Sequence, residues 1–255
     1  MKVSVITVSF NSVDTIGDTL EAVRSQAGAS VEHIVVDGGS TDGTQAVVGR
    51  CNEQVTKFIS EPDEGIYDAM NKGIGLATGE VVGCLNADDV YADKIVLSDV
   101  AEAIEAQALD AVYGDLLYVG QEGNDRILRY WRAGEYRPGS FRSGWVPPHP
   151  TFFCRRELFE KFGYYRSGYR IAGDFELMFR FIEKHRINVR YIPKPLVHMR
   201  VGGRANTMRG IMQGNREIVH AFRCNGAPFP MRFFPARLAR RVWQLARRPS
   251  PNLVP

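Results

Sequence analysis

No run of the chain approaches the roughly 18 apolar residues needed to span a bilayer. The N-terminal MKVSVITVSFN carries one Lys and an apolar stretch broken by Ser4, Thr7 and Ser9, so it lacks the continuous apolar core of a signal peptide. Four cysteines, Cys51, Cys84, Cys154 and Cys224, form no C-x-x-C pair and have no His at metal-ligand spacing. They read as reduced thiols in a cytosolic protein, without a disulfide framework or a zinc site. There is no internal repeat and no low-complexity tract. The loop SFNS (9 to 12) has no G-x-G-x-x-G, which disfavours a nicotinamide dehydrogenase, and GGSTDGT (38 to 44) has no Lys at the spacing of a Walker A loop.

What remains is an ordinary globular composition over 255 residues, 44% hydrophobic and 24% charged, enough to bury a core unaided. Over the first 120 residues β-rich runs alternate with helical patterns, the signature of an α/β fold with a mainly parallel sheet. Strands are expected at 3 to 10, 31 to 37, 55 to 60 and 110 to 119, with helices between them, one around 93 to 107. The aromatic, Gly- and Arg-rich stretch that follows suits short strands and loops over a pocket. AGDFELMFRFIEKH (172 to 185) reads as a helix, then come strands near VRYI and PLVHM and a helical region from Met208 to Cys224.

Charge is unevenly spread. Residues 1 to 185 carry 18 Lys and Arg against 28 Asp and Glu, whereas residues 186 to 255 carry 14 against Glu217 alone. A basic tail suits an anionic partner. In FPMRFFPARLARRVWQLARRPSP (229 to 251) apolar residues alternate with arginines and no acid intervenes. That composition fits a helix lying on an anionic membrane surface, and equally a helix packed on its own domain with an exposed Arg face.

Ligands of open α/β sheets bind at the carboxyl ends of strands, so the polar residues there are the candidates. Asp37 ends the second strand, where it can accept hydrogen bonds from a base or ribose, while Gly38, Gly39 and Gly43 make a tight turn. CLNADD (84 to 89) is an apolar strand ending in Asp88 and Asp89. Adjacent carboxylates suit a divalent cation, Mg²⁺ or Mn²⁺, or else a turn and helix N-cap. Asp174, in the first turn of its helix, is either a cap or a general base.

In order and distance, VSVITVSFN, VVDGGSTDGT, DEGIYDAMNKGIGLATGE, LNADD and the GDFEL helix together resemble glycosyltransferases of family 2, across roughly residues 1 to 205. The D-G-G-S-T-D-G-T block and the G-x-Y-D-A-M-N-K-G helix resemble the branch acting in bacterial surface polysaccharide, lipopolysaccharide or glycolipid assembly. The resemblance implies a GT-A fold, Rossmann-like with a mainly parallel sheet flanked by helices. It divides the chain into a transferase domain over 1 to 205, with a nucleotide-sugar half (1 to 120) and an acceptor half (121 to 205), and a helical, Arg-rich extension over 206 to 255. It further implies inverting, metal-assisted transfer of a sugar from a UDP-, GDP- or dTDP-linked donor to a lipid-linked or glycan acceptor.

Carried over by position, Ser9 and Phe10 line the nucleobase pocket, Asp37 contacts base or ribose, and Asp63 and Lys72 flank the nucleotide. Asn86 and Asp88 stand at the D-x-D motif, Asp88 as metal ligand with Asp89 beside it, and Asn86 replaces the first acid. Asp174 is the catalytic base, preceded by Gly173 where many relatives carry Glu. His149 is expected at the acceptor or a phosphate, or in fixing the Pro-rich turn. His198 is expected at the metal or in a structural role, and Arg200 and Arg204 as a flap over the phosphates. The resulting picture is a cytoplasmic enzyme held peripherally on the inner face of the plasma membrane, with no nucleic-acid partner. A nucleotidyltransferase or a non-catalytic anion-binding module is the alternative.

Overall fold

The computed structural model describes residues 1–51, 53, 55–120, 123–202 and 207–246. Four parallel strands form the first half of the sheet: β1 (Lys2–Ser9), β2 (Ser30–Asp37), β3 (Lys57–Ser60) and β4 (Val81–Cys84), in the order β3-β2-β1-β4. The connections are α1 (Ile16–Arg24), α2 (Thr44–Arg50) and α3 (Ile66–Leu76). Because helices cover both faces, β1 and β2 are buried almost end to end, their polar Ser4, Thr7, Glu32 and His33 included. β1 aligns Ser9 with Asp37 on β2, which brings the two strand-tip loops side by side.

The second half is mixed. β5 (Asp89–Tyr91) and α4 (Val96–Ala106) precede β6 (Ala111–Gly120), β7 (Gly123–Trp131) and β8 (Phe153–Arg155). Then come α5 (Glu157–Phe162), α6 (Gly173–Met178), β9 (Val189–Arg200), α7 (Met208–Cys224) and α8 (Phe233–Ala246). The sheet continues β4-β8-β6-β9-β5, with β7 paired to β6.

Three expectations change here. Asp88 and Asp89 lead into the short strand β5 and not a helix, so the N-cap reading of the pair falls away. The stretches VRYI and PLVHM are one strand, β9, parallel to β6 with register shifts near Pro195, where the missing N–H interrupts the ladder. The 172–185 helix changes pitch: α6 gives way to a π-helical segment at Phe179–Lys184. Such insertions recur beside functional sites. This one lets Glu183 accept from Tyr136 Oη (3.0 Å) and the Gly139 N–H (2.8 Å), tying down the acceptor-side loop.

One large apolar cluster lies under α3, α6 and α7, with Tyr113, Phe141, Phe181, Phe222 and Phe233 buried in it. A second cluster packs α4 against the opposite face. Glu176 is buried at the centre of the first face, and Arg180 pairs with it at 3.0 Å while also donating to the carbonyls of Phe162, Gly163 and Tyr164. A buried carboxylate with its own guanidinium, held in turn by backbone acceptors, keeps α6 in register.

Candidate active site

The loops after β1 and β2 are knitted by side-chain bonds to backbone. Asn11 adopts a left-handed φ of 51° and accepts from the Thr41 N–H (3.0 Å), while its own N–H donates to Ser40 Oγ (2.8 Å). Asp42 accepts from the Val13 and Thr44 N–H groups, both at 3.0 Å. Asp37 is fully buried and accepts from Ser9 Oγ (3.0 Å), Ser60 Oγ (2.7 Å), the Ser40 N–H (2.9 Å) and Ser40 Oγ. Burial works to raise its carboxyl, but the bonds from Ser40, Ser60 and Ser9 outweigh this and hold it below the usual carboxylate range. Four donors use the acceptor capacity of a carboxylate. These bonds set Asp37 within the framework of the two loops, with Ser9, 5% exposed, held beside it.

Phe10 stands at the surface, 55% exposed. Its ring and the Asp63 carboxylate flank Gly38 so closely that a Cβ there would lie 2.3 Å from Asp63 Oδ2 and 3.4 Å from Phe10 Cδ2. Phe10, Gly38 and Asp63 thus make one wall. Lys72 pairs with Glu61 (2.8 Å) and Asp68 (3.4 Å) and donates to the Pro62 carbonyl (3.0 Å), so it holds the loop that carries Asp63.

Beyond β4, Asn86 Nδ2 donates to Asp89 Oδ2 at 3.1 Å. Asp89 is completely buried, and burial together with the Asp88 charge pushes its carboxyl well above the ordinary range. Asp89 is thus an interior partner of Asn86, not a second carboxylate on the open face, which corrects the expected paired ligand. Asp88 reaches the cleft. Burial raises its carboxyl, with the Arg200 and His149 side chains opposing that shift from nearby. Arg200 is also paired with Asp18 on α1, so it is anchored in place, whereas Arg204 lies outside the described residues.

Two residues along the same ladder, His198 on β9 faces Val90 of β5. Both of its ring nitrogens are buried and have no hydrogen-bond partner among the described residues, and burial lowers its basicity. Neutral imidazole nitrogens left bare are suited to a cation. Among the described residues no cluster of three or more acids, His and Cys could hold a metal. A cation at Asp88 would therefore complete its shell from a diphosphate and water, the usual arrangement for Mg²⁺ on a phosphate substrate, while the carboxylate that acts on His198 is Asp93.

Asp174 sits in the first turn of α6, where no side chain caps the helix, so the capping alternative is not what the structure shows. Its Oδ1 accepts from Tyr67 Oη at 3.3 Å, and its Oδ2 lies 3.5 Å from His149 Nδ1. Burial lowers the basicity of His149, against the pull of Asp174 and Asp88. Burial and the Asp174 charge raise the Tyr67 phenol well above its usual value, keeping it a proton donor to the carboxylate. Gly173 has a reason to be glycine: a Cβ there would lie 2.8 Å from the Tyr67 ring. A cavity lined by His149, Asp174, Cys84, Tyr165 and Met178 extends behind this group.

Several contributors were not named from the sequence. Tyr67 is stacked on Tyr165 (5.2 Å), whose backbone Asn71 fixes with two bonds, at 2.8 and 3.0 Å. Glu217 on α7 accepts from the N–H groups of Arg170 (3.0 Å), Ile171 (2.9 Å) and Ala172 (2.7 Å), setting the entry to Asp174. Glu217 was visible as the lone acid of a basic segment, and Tyr67 as the aromatic of G-I-Y-D.

Parallel strand tips that carry the exposed Phe10 and the acids Asp63 and Asp88, continued by a mixed second half, make a GT-A architecture. The family profile for glycosyl transferase family 2 matches residues 4–171, and the chain belongs to that family. It is a glycosyltransferase, and the nucleotidyltransferase and binding-module alternatives give way to that.

An uncharacterized glycosyltransferase of Mycobacterium tuberculosis is 36% identical over 189 residues, 70% of this chain and 68% of that one. A PGL/p-HBAD biosynthesis glycosyltransferase of Mycobacterium bovis is 29% identical over 210 residues, 80% and 79%. Among solved structures, S. aureus TarS residues 1–349 superposes with a TM-score of 0.65 at 18% identity, over 94% of this chain and 71% of that one. A Pyrobaculum calidifontis mannosyltransferase in complex with GDP-Man and Mn²⁺ gives 0.61 at 20%, over 98% and 76%.

Proposed function

We propose that the protein moves a sugar, with inversion, from a nucleoside diphosphate to a hydroxyl of a lipid-linked or glycan acceptor, with Asp174 as the general base. The observation that carries this reading is the Asp174 carboxylate, which caps no helix, accepts from Tyr67 and lies beside His149, a side chain that also feels the Asp88 charge. The neighbour solved with GDP-Man and Mn²⁺ supports the donor class, and the relative named for PGL/p-HBAD biosynthesis supports a lipid-linked or glycan acceptor.

In this scheme the nucleobase stacks on Phe10 beside Asp63, with Ser9 and Asp37 holding the loop and Lys72 fixing the neighbouring one. Asp88, with His198 as the second candidate ligand, would hold a divalent cation, Mn²⁺ or Mg²⁺, which would neutralise charge on the departing diphosphate. Arg200, pinned by Asp18, adds a fixed positive charge on the same side. An acceptor hydroxyl ionises far above neutral pH, so it must lose its proton as it attacks. Asp174 takes that proton while the new bond forms at the anomeric carbon and the bond to the diphosphate oxygen breaks. His149, neutral beside Asp174, orients the acceptor. One base opposite one leaving group gives a single displacement, hence inversion.

No helix among the described residues is long and apolar enough to cross a membrane. α8 packs on the domain through Phe233 and Gln244, yet turns Leu238 (63% exposed), Val242 and Trp243 outward among Arg240 and Arg241. We read that face as a peripheral attachment to an anionic cytoplasmic membrane surface. Arg247 and Arg248 lie outside the described residues.

The test is calorimetric titration with UDP, GDP, CDP and dTDP, each with and without Mn²⁺. Cation-dependent binding of one of them, lost in Asp88→Asn, is the expected result. Folded protein that binds none of the four removes the donor reading.

A further inference from the structure

Two adjacent residues of α1 reach the part of the cleft that carries Asp88. Thr19 is fully buried and donates from Oγ1 to the Asp89 carbonyl (2.8 Å) and, at a longer 3.4 Å, to the Asn86 carbonyl. It therefore ties down the LNADD turn. Its neighbour Asp18 accepts from Arg200 Nη2 at the end of β9. One helix thus holds both the turn and the strand end that faces it.

The strand ladder shows what lies between them. β5 runs antiparallel to β9, with Asp89 opposite Met199 and Val90 opposite His198, so Asp88, one residue before the ladder, comes level with Arg200. In keeping with this, the Arg200 charge acts on both the Asp88 and Asp89 carboxyls, against the larger effect of burial. Arg200 is satisfied on one nitrogen only. Nη2 is taken by Asp18, whereas Nε and Nη1 are buried and have no hydrogen-bond partner among the described residues. Buried guanidinium donors left bare are costly, and an anionic oxygen brought by a ligand is the group that satisfies them best. A free arginine side chain also samples many rotamers, and ordering it at the moment of binding would weaken affinity. The Asp18 carboxylate orders it beforehand.

We propose that Asp18 is a positioning residue for the donor: it holds Arg200 with its two bare donors beside Asp88, while Thr19 holds the LNADD turn, so that these two residues of α1 set the seat of the second phosphate. This rests on the reading of the cleft as a nucleoside diphosphate site. The sign of the effect separates positioning from plain electrostatics. Removing an acid near an anion site ordinarily tightens anion binding; removing Asp18 loosens it. Because Asp18 is 61% exposed, and exposed ion pairs contribute little to stability, the variant folds as wild type does.

The test is calorimetric titration of the full chain in Mg²⁺ with its preferred nucleoside diphosphate and with the matching monophosphate, melting temperatures being read on the same samples. Asp18→Ala is expected to weaken the diphosphate roughly tenfold, the worth of one charge-assisted hydrogen bond, with the monophosphate and the melting temperature unchanged. Asp18→Glu regains part of the loss. Glu21→Ala, which breaks the exposed Glu21–Arg24 pair further along α1, changes neither ligand. On an Arg200→Ala background, adding Asp18→Ala costs nothing more, since the carboxylate acts through that guanidinium. A diphosphate affinity in Asp18→Ala equal to or above that of wild type overturns the proposal. So does a loss shared equally by monophosphate and diphosphate, or a further loss on the Arg200→Ala background. Wild-type protein that binds no nucleoside diphosphate would instead strike the transferase reading itself, so the two failures are told apart.

Discussion

Residues 9 to 89 build the donor side from short loops that continue neighbouring parallel strands, while α7 and α8 reach the same cleft from beyond the family-matched residues 4–171. On the donor side, function follows from local order: Asp37 and Asp42 lock two loops, and Phe10, Asp63 and Asp88 project from them. On the other side, a single residue of a distant helix acts across tertiary contacts: Glu217 on the backbone before Asp174. The proposed function thus assigns nucleotide binding to the donor region and the positioning of Asp174 to α7.

If that division holds, the largest effect on donor binding comes from Asp88→Asn, which removes the cation-dependent part of nucleotide affinity, about 10²-fold, leaving α8 in place. Calorimetry with and without Mn²⁺ reads it, and an unchanged cation dependence would dissolve the donor-side assignment. Next, the donor half contains an acid-sensitive group, His33. Burial lowers the pKa of His33 to about 4, so the unfolded chain takes up a proton that the folded one refuses as pH falls from about 6.5 towards 4. Stability is full above the unfolded value and drops by about 3 kcal/mol below pH 4, a slope that urea unfolding of His33→Gln should lack.

A smaller loss is expected from Phe10→Ala. Base stacking on an aromatic contributes about 1–3 kcal/mol, so nucleoside diphosphate affinity falls by roughly tenfold while turnover at saturating donor stays put. Glu217→Ala should do the reverse. Three backbone N–H groups lose their acceptor, at about 1 kcal/mol of stability, and kcat falls several-fold with donor affinity intact. Equal effects of Phe10→Ala and Glu217→Ala on both constants would erase the contrast.

The same contrast explains what could be read in advance. The alternation of β-rich runs with helical patterns showed the parallel half of the sheet, because parallel strands need a crossover helix between them. SFNS, GGSTDGT and LNADD were readable as loops because their bonds are between near neighbours in adjacent loops. The exposure of each side chain was not: Asp37, Asp88 and Asp89 look alike in sequence, and only packing makes the first a loop anchor, the second a cleft residue and the third an interior partner of Asn86. Pairing of β9 with β6 and β5 likewise depends on long-range register. The Arg-rich tail read equally well as membrane-facing or domain-packed. α8 packs with one face and exposes the other, a distinction set by Phe233, Arg129 and Gln244 jointly.

The most direct test of the account is release of nucleoside diphosphate from the donor sugar nucleotide by Asp174→Asn and wild type, with nucleotide binding followed on the same samples. Removing a positioned general base predicts turnover lower by roughly 10²–10⁴-fold with nucleotide affinity unchanged. Turnover within a few-fold of wild type would contradict the placement of Asp174 at the reacting hydroxyl, and with it the chemistry derived from this cleft.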